Sequence, residues 1–184
     1  MKKWMKRLAA LLLALIVLAG GAAWWLKSYI APREVLDLSY TPIDVKGKVR
    51  DMIKHLNPEM VLTEADINNL AKESLGRGAF PNRDLVLDGA RFELDGDHLT
   101  AYANVTYKKR VKAGAVAVYR LSWQEPNLVM EPETVSIRGI HLPARLAGTR
   151  VIPVDVPGTD LVSVKNVKFD GGRVIIRFTL NSPF

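Results

Sequence analysis

The chain has 184 residues, which is enough for one domain of ordinary size with a buried core plus a short extension. Its formal net charge of +7 comes mostly from one end, because Lys2, Lys3, Lys6, Arg7 and Lys27 leave a net charge of only +2 for residues 28–184. Aromatic residues are not interleaved with a basic patch, which argues against a nucleic-acid partner. The absence of cysteine excludes disulfides and a lipoprotein anchor.

The N-terminal segment predicts a membrane anchor. Leu8 to Leu26 is a run of nineteen residues without a charge, which approaches the roughly 30 Å of a bilayer's hydrocarbon core. The cations before it favour a cytoplasmic N-terminus, so we expect the chain after the anchor to lie on the extracytoplasmic side of the membrane. A cleaved signal peptide is the alternative, because Ala19, Gly21 and Ala23 suit a cleavage site. We favour an uncleaved anchor, since the apolar run continues beyond these small residues.

The predicted organisation is therefore an anchor over residues 1–27, a tether over 28–42 and an extracytoplasmic domain over 43–184. In the tether, Pro32 and Pro42 disfavour helix. The domain begins with a predicted amphipathic helix, because Val45, Val49, Met52, Ile53 and Leu56 recur at helical spacing before Asn57-Pro58. The cations of that helix suit either solvent or anionic lipid headgroups.

A second helix is predicted in the stretch LTEADINNLAKESL, Leu62 to Leu75. Thr63 and Asp66 have the spacing of an N-capping box, and Glu64 and Asp66 suit the positive end of the helix dipole. We therefore expect the carboxylates to cap the helix, and we predict no catalytic residue. An enzyme is a more distant alternative, which would require folding to bring together carboxylates such as Asp66 and Asp95.

From Leu85 onward the alternation of residues predicts antiparallel strands. Asp88-Gly89 predicts a bulge, because the apolar residues change phase there, and Asp95-Gly96 predicts a hairpin turn. Further strands are predicted at 111–123, 128–130, 134–138, 151–156, 162–169 and 173–180, with Asp170-Gly171-Gly172 as the last turn. The predicted fold class is α+β, with one transmembrane helix followed by a curved antiparallel sheet packed on one or two amphipathic helices.

Small residues line one face of two of these strands. Such a shallow face leaves space either for a closely packed helix or for an acyl chain. We predict that this face and the helix at Thr63 form an apolar groove for a lipid or another amphiphile. The candidate groove residues are Ile67, Leu70, Ala71, Ala101, Ala103, Ala113, Ala115, Ala117 and Tyr119.

Metal and cofactor chemistry have no support in the sequence. His55, His98 and His141 lack metal-ligand spacing, and no HExxH, GxSxG, P-loop or GxGxxG pattern occurs. We therefore expect neither a metal nor a cofactor.

Two segments carry a resemblance to a known family. LTEADINNL, with Thr63, Glu64 and Asp66, and VSIRGIHLPARLAG, with Gly139 and Pro143, resemble the YpmS-like family of membrane-anchored extracytoplasmic proteins of Gram-positive bacteria. This largely uncharacterised family implies a location in the cell envelope and an architecture, without an activity. The order of helix, long strands and Gly-x-x-Leu-Pro loop is also similar to the tubular lipid-binding folds.

A protein-interaction module is the competing hypothesis for function. It would use strand edges or the loop from Gly139 to Gly148, where Arg138, His141, Arg145 and Arg150 add positive charge. Such a surface suits an envelope protein or an anionic wall polymer and would help to assemble or regulate a membrane or cell-wall complex.

Overall fold

The computed structural model describes residues 2–44, 47–48, 50, 52, 58–77, 84–153 and 162–180. It contains the helices α1, Lys2–Ile30, and α2, Glu64–Arg77, and a short 3-10 helix, Ala144–Leu146. The strands are β1, Glu59–Thr63; β2, Leu85–Asp95; β3, His98–Tyr107; β4, Val111–Gln124; β5, Asn127–Ile137; β6, Ile140–Leu142; β7, Arg150–Pro153; β8, Val162–Asp170; and β9, Arg173–Leu180.

The helix α1 is long and apolar enough to cross a membrane. It has 29 residues, or about 43 Å at 1.5 Å per residue, and its most apolar window has a mean hydropathy of 2.2 with none of its surface buried by the domain. Trp25 and Tyr29 stack near its end, with ring centroids 5.4 Å apart. Aromatic rings at this position are typical of the membrane–water interface.

Two antiparallel sheets form the body of the domain. The larger is a curved half-barrel with the strand order β2-β3-β4-β5-β6, and β7 also pairs with β5. The smaller has the order β1-β9-β8. Together with α2, these sheets confirm the predicted α+β class.

The local patterns in the sequence predicted the hairpins well. The register of β2 against β3 shifts between Leu87 and Gly89, which confirms the bulge, and Gly96 has a φ of 57° in the turn that follows β2. The strand β9 has the predicted bounds. Its hairpin with β8 packs against the β2–β3 turn, because the Gly96 N–H donates to the Gly171 carbonyl at 3.0 Å.

Three features of the strands were not predicted. Strand β5 is continuous where two strands were expected, because Pro132 lies at a register shift opposite Tyr119, where a missing N–H is tolerated. Strand β1 was missed because it is stabilised by pairing with β9, more than 100 residues away in the chain. Strand β6 was missed because its three residues lie in a segment that was interpreted as a loop. Of the predicted strand at 151–156, only residues up to Pro153 are described.

The hydrophobic core lies between the two sheets and α2. Its buried members come from both sheets and include Phe92, Leu94, Leu99, Ile176 and Phe178. We call the side of the larger sheet that carries Leu99 and Phe92 the core face and the opposite side the tether face. The predicted helix at 45–56 falls mostly outside the described residues, but Gly47, Lys48, Arg50 and Met52 are helical, and Met52 is buried in the core.

The start of α2 confirms the capping box. The Thr63 N–H donates to Asp66 Oδ2 at 2.9 Å, and the Asp66 N–H donates to Thr63 Oγ1 at 3.2 Å. Lys48 Nζ adds an ion pair with the same carboxylate at 3.1 Å. Desolvation raises the pKa of Asp66, but the hydrogen bonds from Thr63 and Lys48 outweigh it, so the pKa is lowered from its ordinary value of 3.8.

Asp66→Asn is expected to lower the free energy of unfolding by about 1 kcal/mol at neutral pH. Because the pKa of Asp66 is lowered in the folded chain, the ionised carboxylate stabilises the fold above pH 3.8, and this contribution is lost as the pH falls below 3.8 through the lowered pKa. Denaturant titrations of the full chain at several pH values measure the difference. Glu64→Gln removes a carboxylate outside the capping box and should lower the free energy of unfolding by less. Equal losses of stability in the two variants, or a loss in Asp66→Asn that does not depend on pH, would contradict this role of Asp66.

Candidate functional site

The small residues of β3 and β4 meet across the sheet as the groove prediction requires. Ala101 pairs with Ala117, Ala103 pairs with Ala115, and Val105 pairs with Ala113, so their side chains share the core face. Ala113 is buried, whereas Ala101, Ala103, Ala115 and Ala117 are half-buried. Tyr119 and Leu99 form the bulky end of this row. The structure thus confirms that these two strands are neighbours, and it pairs their small residues directly with one another.

The helix α2 lies at one side of this surface. Its apolar residues Ile67, Leu70 and Ala71 pack on the same core cluster as Ala101 and Tyr119. Its main contacts, however, are with β2 and β1. Five of the nine predicted groove residues therefore pack on the core cluster, and the other four, Ala103, Ala113, Ala115 and Ala117, lie on the same face of β3 and β4.

The two asparagines of α2 explain the polar stretch of the helix. Asn68 Oδ1 accepts a hydrogen bond from the Phe92 N–H at 3.0 Å, and thereby caps the outer edge of β2. Asn69 Oδ1 accepts from the Thr41 N–H at 3.4 Å and so holds the tether. Asn68, Asn69 and the capping carboxylate of Asp66 therefore have structural roles.

The tether crosses the opposite side of the sheet. Asn104 on the tether face donates from Nδ2 to the Glu34 carbonyl at 2.7 Å. At the edge of β2, the Ala90 N–H donates to the Asp37 carbonyl at 3.1 Å. Lys72 of α2 also donates to the Ser39 carbonyl at 3.2 Å. The tether is thus fastened to β3, β2 and α2, and Asn104 beneath it is buried.

A cleft of about 540 Å³ lies between this tether, the end of α1 and the tether face. Polar and aromatic side chains line it, with three arginines and one carboxylate: Tyr29, Arg33, Glu34, Arg91, Tyr102, Asn104, Ser136 and Arg138. Ala103 and Ala115 also border the cleft, but by strand alternation their methyl groups point to the core face. This cleft is therefore separate from the predicted groove, and sequence reasoning missed it.

Arg138 connects the sheet to the end of α1. It occupies the turn between β5 and β6 with a φ of 53°, and Gly139 follows with a φ of 79°. Its guanidinium lies 5.3 Å from the centre of the Tyr29 ring, its Nε donates to the Tyr29 carbonyl, and the Tyr29 hydroxyl donates to the Arg138 carbonyl at 3.2 Å. A left-handed backbone is costly for arginine, so these contacts hold Arg138 in a strained position.

The other arginines of the cleft differ in their partners. Arg91 lies 4.3 Å above the centre of the Tyr102 ring and pairs with both Glu34 and Glu93. Among the described residues, no carboxylate lies within salt-bridge distance of Arg33 or Arg138. Within the same set, the buried atoms Arg91 Nε and Arg138 Nη1 also lack hydrogen-bond partners. Each such N–H costs about 1–3 kcal/mol.

A surface cluster of charges at the far end of the sheet contains His98. The imidazole lies 2.8 Å from Asp97 and 3.3 Å from Glu133, and Arg120 also pairs with Glu133 at 2.6 Å. The hydrogen bond from Arg120 to Glu133 and the nearby carboxylates raise the pKa of that guanidinium. Within the described part of the chain, no group of three or more side chains is arranged to hold a metal ion.

The segment from Gly139 to Gly148 differs from the expected loop. It contains β6 and the 3-10 helix, and its hydrophobic residues Ile140 and Leu146 are exposed, as are Val151 and Ile152 of β7. The Tyr119 hydroxyl donates to the Ala147 carbonyl at 3.5 Å, and burial raises the pKa of Tyr119. His141, Arg145 and Arg150 are exposed in the same region.

Comparisons with known proteins identify no relative. No family model matches the chain, and neither a curated protein nor a solved structure matches it. The resemblance to the YpmS-like family stays a prediction, and the function must be inferred from the geometry.

Proposed function

We infer that this chain is a single-pass membrane protein of the bacterial envelope whose domain binds a lipid or another amphiphile without catalysing a reaction. In this proposal, α1 stays uncleaved and the domain lies outside the cytoplasmic membrane. The cations before the apolar run support that orientation through the positive-inside rule.

The observation that carries the proposal is the alanine surface on the core face. Because three successive cross-strand pairs have short side chains, this part of the sheet is shallow, while Tyr119, Leu121 and Phe92 beside it are bulky. Ligand sites are mostly apolar concave surfaces with few polar groups, which is the surface that an acyl chain needs. The surface continues into the core, and the domain is anchored beside its lipid source.

Replacing two facing alanines, in the variant Ala103→Trp with Ala115→Trp, is expected to remove most lipid that copurifies with the full chain. The indoles would fill the shallow surface, since Ala103 and Ala115 are direct partners across β3 and β4. Native mass spectrometry with lipid extraction measures the bound lipid per protein.

Thr100→Trp is the matched control, because Thr100 lies on the tether face of the same strand and is half-buried. It should leave the bound lipid unchanged. If the double variant folds and retains its lipid at the wild-type level, the core face is not the binding site.

A protein-interaction module is the second candidate function. It is favoured by the exposed hydrophobic residues Ile140, Leu146, Val151 and Ile152, which lie on consecutive short elements among exposed cations. Exposed apolar residues with a polar rim are typical of protein-binding surfaces. A dominant crosslink from this surface to one envelope protein in intact cells would favour this function.

A further inference from the structure

We propose that the cleft at the end of α1 binds the phosphate of an anionic lipid headgroup and so fixes the domain on the membrane surface. We call it the juxtamembrane cleft; it is lined by Tyr29, Arg33, Arg91, Tyr102 and Arg138. This site is distinct from the core face. It rests on the anchoring of α1 in a membrane, which belongs to the proposed function.

The position of the cleft matches the headgroup layer. Tyr29 lies three residues after Leu26, the last residue of the apolar run, which is about 4.5 Å further along the helix axis. The headgroup layer is about 5–7 Å thick on each side of the hydrocarbon core. The end of α1 contacts β4 directly, so the cleft opens beside the lipid headgroups.

The donors in the cleft suit a phosphate. Arg33 and Arg138 bring two positive charges that no carboxylate of the described residues pairs with. Arg138 Nη1 and Arg91 Nε have N–H groups without partners within the same part of the chain. The planar guanidinium binds phosphate oxygens through two parallel hydrogen bonds, which suits the arginines of the cleft to a phosphate.

The geometry of Arg138 places its cation in the cleft. The residue stays in the left-handed region although glycine or asparagine would suit that turn better. Its contacts with Tyr29 place the guanidinium against the ring, so the cation is held within the cleft. Backbone strain of this kind is concentrated at functional sites.

A second group of cations lies at the same end of the sheet. The turn Lys108–Arg110 joins β3 and β4, and Lys108 and Lys109 have φ values of 47° and 56°. Arg110 is four residues from Gly114, or about 13 Å of strand, and a side chain at Gly114 would contact Pro32 of the tether. Lys108 pairs with Asp84 at 3.8 Å, so Lys109 and Arg110 supply the added positive charge on the side that carries α1, which favours a membrane surface over a freely soluble anion.

The full chain, reconstituted in nanodiscs of phosphatidylcholine and phosphatidylglycerol, tests the proposal. After washing in mild detergent, we expect the wild type to retain phosphatidylglycerol in preference to phosphatidylcholine. Arg33→Gln and Arg138→Gln should each reduce this preference roughly fivefold, and the double variant about thirtyfold, as expected for surface cations near anionic lipid. Arg33→Gln is informative even if Arg138→Gln perturbs folding, because Arg33 is exposed.

Lys168→Gln is the matched control, since Lys168 is an exposed cation near the β8–β9 turn, which packs at the opposite end of β2 and β3. It should retain the wild-type preference. An unchanged preference in Arg33→Gln and in the double variant, or an equal loss in Lys168→Gln, would overturn the proposal.

Inorganic phosphate added to protein in pure phosphatidylcholine nanodiscs distinguishes the source of the phosphate. We expect no binding; stoichiometric binding would assign the cleft to a soluble phosphate and overturn the lipid proposal.

The variant Ala103→Trp with Ala115→Trp should keep the headgroup preference. The core-face site therefore fails if that variant keeps its bound lipid, whereas the cleft fails if the arginine variants keep their preference.

Discussion

Gly89→Ala is expected to detach the tether from the sheet and to lower the free energy of unfolding by about 2–4 kcal/mol. A Cβ at Gly89 would overlap the main-chain carbonyl of Leu36, which cannot move without shifting the tether. The shift would also break the hydrogen bond from the Ala90 N–H to the Asp37 carbonyl. Two effects therefore add: overpacking at the bulge and the loss of an edge hydrogen bond.

Denaturant unfolding and limited trypsin digestion of the full chain measure this effect. Cleavage after the exposed Arg33 should become faster once the tether is released. Gly172→Ala is the matched control, because its new Cβ would only reach ordinary contact with Glu64, at 3.4 Å. Wild-type stability and cleavage in Gly89→Ala would show that the tether does not pack on the bulge.

Asn68→Leu is expected to destabilise the domain by about 1–3 kcal/mol. Leucine is similar in size but has no acceptor, so the Phe92 N–H at the edge of β2 would lose its partner. Since Phe92 is buried in the core, the unpaired N–H would be shielded from water. Hydrogen exchange of the Phe92 amide should become faster, and unfolding should occur at lower denaturant.

Asn69→Leu makes the same chemical change at the next position. The hydrogen bond that Asn69 accepts from the Thr41 N–H is longer, at 3.4 Å, and is exposed to solvent. We therefore expect the free energy of unfolding to change by no more than about 0.5 kcal/mol. Asn68→Asp keeps an acceptor and should be milder than Asn68→Leu. Equal losses in Asn68→Leu and Asn69→Leu would contradict the edge-capping role of Asn68.

The elements that the sequence predicted are those encoded by neighbouring residues. The capping box of Thr63 and Asp66, the bulge at Gly89 and the β2–β3 turn each depend on a few consecutive residues with distinct conformational preferences. The alternation of residues also placed Ala103 and Ala115 on one face of their strands, but their direct pairing is set by the register of β3 against β4. The composition of the shallow surface was therefore predictable from the sequence, whereas its geometry depends on the pairing of the two strands.

The features that were missed depend on contacts between distant residues. Arg138 and Tyr29 are 109 positions apart, and neither carries a local pattern that indicates the other. Main-chain carbonyls such as that of Glu34 fasten the tether to the sheet, and any residue type supplies those. The turn at Arg138-Gly139 was a clue to the juxtamembrane cleft, because Gly139 suits a turn and Arg138 adds a cation.

Lipid contact on the core face can be mapped directly in cells supplied with a fatty acid that carries a photoreactive diazirine on its acyl chain. After irradiation, peptide mass spectrometry of the full chain locates the labelled residues. Label in α1 serves as the internal positive control, since the domain does not cover the apolar side chains of this helix. If a lipid is bound as proposed, label will also occur on core-face residues of β3 and β4, including Ala103 and Ala115. Label confined to α1 would contradict lipid binding by the domain.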